Sequence, residues 1–218
     1  MTFLPAIEYE TNDKPDGVII WLHGLGADGN DFAPIVPELR LPEELGVRFI
    51  FPHAPKIPVT INNGLLMPAW YDILEMEIER KVDVAQLLVS SRAITEIIDR
   101  EIDRGIDSRR IVLAGFSQGG AVCYQTALAC PVPLGGLLAM STYFATADHI
   151  EYEKVNQTMP IEIHHGIHDP VVPERLGRAA VETLKDNGYQ PHYRTYPMDH
   201  GVCSEQIGHI SSWFREIL

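Results

Sequence analysis

The run Arg110-Ile111-Val112-Leu113-Ala114-Gly115-Phe116-Ser117-Gln118-Gly119 decides the fold of this chain. Its apolar, β-branched first half predicts a buried strand, and the Gly-x-Ser-x-Gly pentapeptide after it places a serine where the strand turns into a helix. Such a turn strains the serine backbone and leaves no room for side chains at positions 115 and 119. The run therefore predicts that Ser117 presents its hydroxyl at a sharp turn, although the pentapeptide alone would also fit an ordinary small-residue turn.

Strands alternate with helices on both sides of this run. The predicted strands are 17–22, 47–51, 110–114, 136–140, 161–164 and 192–196, and the predicted helices are 84–104, 118–129, 173–187 and 204–218. Alternation of this kind predicts an α/β fold with a mostly parallel, doubly wound sheet and helices on both faces. A length of 218 residues fits one domain, 1–218.

Composition excludes several classes of partner. Lys and Arg number 17 against 30 Asp and Glu, so the net charge of −13 disfavours nucleic acid and anionic membrane surfaces. No apolar segment is long enough for stable membrane insertion. The cysteines, Cys123, Cys130 and Cys203, are odd in number and lack C-x-x-C spacing, and residues 1–10 do not have the pattern of a secretory leader. We therefore expect a cytoplasmic protein without disulfides.

A serine hydroxyl needs a base to take its proton and an acid to orient that base. Both should lie on loops at the carboxyl ends of strands, where sites form in such sheets. Asp169 follows a predicted strand and is held between Pro170 and the helix that begins at Pro173. Among nine histidines, His200 alone lies on a loop between the last strand and the last helix. We predict Asp169 as the acid and His200 as the base; an aspartate that caps a turn and a structural histidine are the alternatives.

The negative charge on a substrate carbonyl oxygen requires backbone N–H donors that are already in place. The N–H of Gln118, directly after the serine, is one candidate, and the N–H of Leu25 in the Gly-rich turn 23–29 is the other. His23 is interpreted as a residue that orients this turn. An ordinary tight turn is the alternative for the whole segment.

At this point the chain resembles the carboxylesterase and acyl-protein thioesterase branch of the α/β-hydrolases, also called the phospholipase/carboxylesterase family. The resemblance covers nearly the full length and rests on His23-Gly24-Leu25-Gly26-Ala27-Asp28-Gly29, Met67-Pro68-Ala69-Trp70-Tyr71-Asp72, Gly115-Phe116-Ser117-Gln118-Gly119-Gly120, Asp169-Pro170-Val171-Val172-Pro173 and His200. It implies the triad Ser117, Asp169 and His200, an oxyanion hole of Leu25 and Gln118 N–H groups, no metal or organic cofactor, and frequent homodimers.

The resemblance also implies that the segment from Leu65 to Ile73 borders an acyl-binding groove. Leu65, Leu66, Met67 and Trp70 would form an apolar border, suited to the acyl chain of a small uncharged ester of short to medium length. The predicted activity is serine carboxylic-ester hydrolysis, with acyl thioesters and lysophospholipids as candidate further substrates. The alternative is that acyl-protein thioesterase or lysophospholipase activity is the main one.

One departure from the family pattern lies beside the predicted base. The family has proline before and serine after this histidine, whereas this chain has Asp199 and Gly201. An acidic neighbour would favour the protonated imidazole if its carboxylate lies close, and would have little effect if it faces solvent.

Three other classes of function are weaker. His164, His165, His168 and Asp169 could suggest a metal cluster, but they lack the helical H-x-x-x-H spacing and a third ligand elsewhere. Cys203 lies near His200 but has no elbow of its own. A non-enzymatic binding module would be expected to lose a triad residue, and here all three are present.

Overall fold

A seven-stranded sheet forms the centre of the molecule. The computed structural model describes residues 3–75 and 81–218. The sheet contains β1 (Ala6–Glu10), β2 (Gly17–Leu22), β3 (Val47–Pro52), β8 (Ile111–Phe116), β9 (Gly136–Met140), β10 (Ile161–Gly166) and β11 (His192–Tyr196). Their order is β1-β3-β2-β8-β9-β10-β11, and only the pairing of β1 with β3 is antiparallel. The predicted parallel sheet is confirmed.

Helices cover both faces of this sheet, as predicted. They are α1 (Ile35–Leu39), α2 (Val84–Asp103), α3 (Gln118–Leu128), α4 (Glu174–Asp186) and α5 (Ser204–Ile217). Side chains of α2, α3 and α4 pack in one apolar core, and those of α1 and α5 pack in a second core on the opposite face. Burial of helix faces against β2 and β8, whose apolar side chains are buried on both faces of the sheet, therefore supplies the main stabilisation of the fold.

The segment between β3 and α2, which we expected to be a long loop, contains two small hairpins. The first pairs β4 (Lys56–Val59) with β5 (Leu65–Pro68), and the second pairs β6 (Ile73–Glu75) with β7 (Lys81–Val82). Asn63 and Gly64 close the first hairpin with φ angles of 56° and 73°, a conformation that asparagine and glycine adopt most readily. The strands β4 and β5 were not predicted because they contain Pro58 and Pro68, and proline usually argues against a strand.

Two further elements also escaped the sequence pattern. Strand β1 lies at the sheet edge and is half-buried to exposed, so its residues show no apolar alternation. Helix α1 has only five residues, which is too short for a 3.6-residue period to be recognised. Within the described residues, no helix is long and apolar enough to cross a bilayer.

The strand order creates a crevice at the carboxyl edge of the sheet. The chain passes from β2 to β3 on one side and later returns to β8 on the other side of β2. The loops that follow β2 and β8 therefore leave in opposite directions, and such a switch point is where open α/β sheets hold their sites.

Candidate active site

Ser117 lies at this switch point in a strained turn. Its φ of 53° and ψ of −121° are unusual for a residue with a side chain. The Ser117 N–H donates to the carbonyl of Met140 at 2.9 Å, and the Thr142 hydroxyl donates to the Ser117 carbonyl at 2.6 Å. A Cβ added at Gly119 would lie 2.5 Å from the His23 carbonyl oxygen, so glycine is required there. Two neighbouring strands thus hold the serine at the tip of the turn.

Ser117, His200 and Asp169 meet across three loops that follow β8, β11 and β10. His200 Nε2 lies 3.1 Å from Ser117 Oγ, and His200 Nδ1 lies 2.7 Å from Asp169 Oδ2. A carboxylate can only accept, so Nδ1 carries the hydrogen and Nε2 is left with its lone pair toward the serine hydroxyl. The Phe116 ring packs against the His200 imidazole with 4.7 Å between ring centroids. The arrangement can move a proton from the serine to the imidazole.

Asp169 is buried and anchored by backbone hydrogen bonds. Its Oδ1 accepts the N–H groups of Val171 at 2.9 Å and Val172 at 2.8 Å. Burial raises the pKa of the Asp169 carboxyl, but the hydrogen bonds from His200, Val172 and Val171 outweigh it and leave that pKa below its usual value. The carboxylate is therefore ionised throughout the neutral range.

Two backbone N–H groups lie beside the serine. Leu25, Gln118 and Ser117 line the same cavity of about 120 Å³. In the part of the chain that the structure describes, the N–H groups of Leu25 and Gln118 donate to no acceptor. Gln118 begins α3, so the positive end of the helix dipole adds to its N–H. The predicted oxyanion hole requires unpaired donors of this kind.

His23 supports the Gly-rich turn that carries Leu25. Its buried ring donates from Nδ1 to the Gly24 carbonyl at 2.7 Å, and its Nε2 accepts the Ala54 N–H at 3.1 Å. Burial lowers the pKa of the His23 imidazole, which the hydrogen bond to Gly24 only partly offsets. Both nitrogens are occupied, which agrees with the orienting role expected for His23.

The four residues of the predicted apolar border differ in exposure. Leu65 and Leu66 on β5 are 62% and 60% exposed, and Met67 is half-buried. Trp70 is only 1% exposed and donates from its indole to the His23 carbonyl at 2.9 Å. This hydrogen bond shows that the Trp70 side chain supports the Gly-rich turn. A role for Trp70 at the border of an acyl groove stays a prediction.

The cavity wall comes from residues that the sequence pattern did not single out. Besides Leu25, Ser117 and Gln118, the lining consists of Ile61, Ile73, Tyr143 and Val171. Tyr143 and Val171 follow the carboxyl ends of β9 and β10, so the same edge rule that located Asp169 could have located them. Ile61 lies in the turn of the first unpredicted hairpin and Ile73 begins β6 of the second, and neither carried such a signal.

Gln118 contributes its side chain as well as its backbone. Its Oε1 accepts the Trp70 N–H at 2.8 Å, and its Nε2 donates to the Tyr71 carbonyl at 2.7 Å. These two bonds attach the segment after β5 to the first turn of α3. The side chain thereby ties the cavity wall to the element that presents the serine.

The cysteines and the histidines of β10 do not form the alternative sites that the sequence suggested, a cysteine nucleophile or a metal cluster. His164 and His165 point to opposite faces of β10: His164 pairs with Glu162, whereas His165 bonds the Val172 carbonyl. Cys123 is buried, and burial raises the pKa of its thiol. Cys203 is half-buried and lies directly before α5, after His200 in the segment that follows β11. Asp199, beside His200, is exposed.

A strained serine after a central strand, with a histidine and an aspartate on later strand ends, defines an α/β-hydrolase. A family model described as phospholipase/carboxylesterase matches residues 5–218. The chain belongs to the phospholipase/carboxylesterase family, whose members include carboxylesterases and acyl-protein thioesterases.

Relatives and solved structures agree with this assignment. The chain is 37% identical to acyl-protein thioesterase 1 of Neurospora crassa over 226 residues, which covers 99% of this chain and 90% of that protein. It is 32% identical to carboxylesterase SOBER1 of Arabidopsis thaliana over 205 residues, covering 92% and 90% respectively. The crystal structure of SOBER1 superposes with a TM-score of 0.86 and covers 92% of this chain and 98% of that one, at 30% identity.

Proposed function

We propose that this hydrolase cleaves uncharged acyl esters of short to medium chain length through an acyl-enzyme on Ser117. The single observation that carries the proposal is the array in which Ser117 Oγ, His200 and Asp169 are linked at 3.1 and 2.7 Å on a strained turn. The family membership independently makes the chain a carboxylic-ester or thioester hydrolase.

The geometry supports a two-stage reaction. Ser117 Oγ attacks the acyl carbon while His200 Nε2 takes the serine proton, and Asp169 stabilises the imidazolium that forms. The N–H groups of Leu25 and Gln118 hold the carbonyl oxygen as it becomes negative. Collapse of this intermediate breaks the ester C–O bond, and His200 returns the proton to the departing alcohol. Water then repeats the sequence on the acyl-enzyme and releases the acid and free Ser117.

The cavity supports the choice of acyl group. Its lining side chains are mostly apolar and carry no formal charge. Its volume of about 120 Å³ is small, so a short acyl chain can be enclosed while a longer one must extend outside it. The exposed Leu65 and Leu66 lie on the hairpin that also carries Ile61 and could contact such an extension.

A second candidate, acyl-protein thioesterase as the main activity, is favoured by the fungal relatives that bear this name. Thioester and ester hydrolysis require the same nucleophile, base and oxyanion donors. Lysophospholipids would use the same site.

The three free cysteines agree with a reducing, cytoplasmic setting, and homodimer formation stays a prediction from the family resemblance.

The test is a series of p-nitrophenyl esters from acetyl to palmitoyl, with thioesters of matched chain length and a lysophospholipid. We expect kcat/KM to rise about fourfold for each methylene that the cavity buries and then to level off. The variant Ile61→Ala should move that plateau to longer chains, whereas Val155→Ala, an exposed matched control, should not. Equal rates for every chain length, or a preference for a charged acyl group, would contradict the proposed pocket; a strong preference for thioesters would favour the second candidate.

A further inference from the structure

His165, a second imidazole, lies behind the acid of the site. It is fully buried on β10, and its Nε2 lies 2.8 Å from the Val172 carbonyl oxygen. A carbonyl only accepts, so the hydrogen of His165 resides on Nε2. Its Nδ1 has no hydrogen-bond partner among the described residues.

Val172 connects this imidazole to Asp169. Its carbonyl accepts from His165, while its N–H donates to Asp169 Oδ1 at 2.8 Å. His165 Nε2 also lies 3.8 Å from Asp169 Oδ2, the oxygen that accepts from His200. One imidazole is thus linked through Val172 to one carboxylate oxygen and lies beside the other.

We propose that His165 is a positioning residue that fixes the rotation of the Asp169 carboxylate and so keeps Oδ2 directed at His200. This inference rests on the proposed roles of Ser117, His200 and Asp169. Without the hydrogen bond from His165 to the Val172 carbonyl, the backbone of Val172 can rotate and move the N–H that holds Asp169 Oδ1. The carboxylate can then rotate away from His200. The imidazolium that forms during the reaction is then less stabilised.

The surroundings of His165 favour its neutral form. Burial lowers the pKa of this imidazole, and the nearby His200 lowers it further. The hydrogen bond to Val172 and the negative charges of Asp169 and Glu174 raise the pKa but do not offset the lowering. A neutral ring with hydrogen on Nε2 orients Val172 without placing a competing positive charge beside Asp169. Helix α4 packs directly on the ring, and a Cβ at Gly177 would collide with Nδ1. Glycine at this position lets the helix hold the ring in place.

The test compares two side chains of similar length at position 165. His165→Met lacks a hydrogen-bond donor, whereas His165→Gln keeps an N–H that can reach the Val172 carbonyl. The matched control is His164→Met, since His164 is equally buried on the same strand but contacts Glu162 on the opposite face. Rates are expressed per active site titrated with a fluorophosphonate, and melting temperatures are measured for all three variants.

We expect kcat to fall about tenfold in His165→Met with little change in KM, which is the scale on which outer hydrogen-bond partners act. The acid limb of kcat/KM should also move to lower pH, since a misaligned carboxylate favours protonated His200 less. His165→Gln should stay within about threefold of wild type with an unmoved limb, and His164→Met should retain both. A purely structural role would lower the melting temperature and leave the rate per titrated site and the limb unchanged, which would overturn the proposal.

Measurements on the unmodified protein keep the proposal testable if His165→Met does not fold. Nitrogen NMR should show His165 with hydrogen on Nε2 and not on Nδ1 over the whole pH range in which activity appears. Hydrogen on Nδ1, or protonation of the ring within that range, would contradict it. Failure of the proposed triad is separately visible, because Ser117 would then not be labelled by the fluorophosphonate.

Discussion

Ser117 shows how one residue is forced into a conformation that its own chemistry disfavours. A backbone in this region costs about 1–3 kcal/mol for a residue with a side chain. Hydrogen bonds with Met140 and Thr142, together with the close approach of Gly119 to the His23 carbonyl, keep the residue there. This strained backbone conformation directs the Ser117 hydroxyl out of the sheet toward His200.

At the same scale, the structure predicts how Asp199, the acidic residue beside His200, affects the pH dependence of activity. Asp199 is exposed, whereas the buried Asp169 contacts the imidazole directly. Since water screens an exposed carboxylate, Asp199→Asn should leave the acid limb of kcat/KM unmoved. The pKa of Asp169 is lowered, so this carboxyl remains ionised while that limb develops.

The measurement is kcat/KM against pH at about 0.15 M ionic strength. Curves that superimpose for wild type and Asp199→Asn are expected. A limb that moves to lower pH in the variant would show instead that Asp199 favours the protonated base.

Among the elements, a network of charges joins β1, β3 and α2 at the β1 edge of the sheet. Glu101 of α2 is fully buried and lies 2.8 Å from Arg100 Nε, 3.5 Å from Arg48 Nε and 3.5 Å from Arg104 Nε. Arg48 of β3 also pairs with Glu8 and Glu10 of β1. The network attaches an edge strand that buries little apolar surface of its own.

Removal of the buried charge should therefore destabilise the fold without changing the chemistry. We expect Glu101→Gln to lower the free energy of unfolding by about 3 kcal/mol, because Arg48, Arg100 and Arg104 then have only Glu8 and Glu10 as ionic partners and one positive charge is uncompensated. Arg104→Gln is the control: this side chain is half-exposed, and its loss should cost less than about 1 kcal/mol.

Urea unfolding measures both variants, and rates per titrated active site should equal that of wild type, since no residue of the network lines the cavity beside Ser117. Equal stability of Glu101→Gln and wild type would show that the buried carboxylate of Glu101 does not stabilise this network.

At the scale of the whole molecule, the strands and helices with a strong hydrophobic pattern could be predicted from the sequence. Strands β2 and β8 are continuous apolar runs, and α2 places Leu87, Ile94 and Ile98 on one buried face. The candidate residues Ser117, Asp169 and His200 could be identified because each follows a strand in a fixed order. That order depends on topology, which alternating strands and helices specify.

The remaining features depend on contacts between distant segments. The cavity wall combines Ile61, Ile73, Tyr143 and Val171, which come from four separate segments and share no sequence period. The burial of Trp70 could not be predicted, because the sequence of a loop does not show which turn covers an aromatic side chain. His165 had no signal beyond its nearness to Asp169, and only the path through Val172 reveals the link.

The central claim is that Ser117 accepts the acyl group, and labelling with a fluorophosphonate followed by peptide mass analysis tests it most directly. We expect one label per chain, on the peptide that contains Ser117, with esterase activity lost in proportion to labelling. Ser117→Ala should take up no label and should lose at least about a thousandfold in kcat. Label on the peptide that contains Cys203, or full activity in Ser117→Ala, would contradict the account.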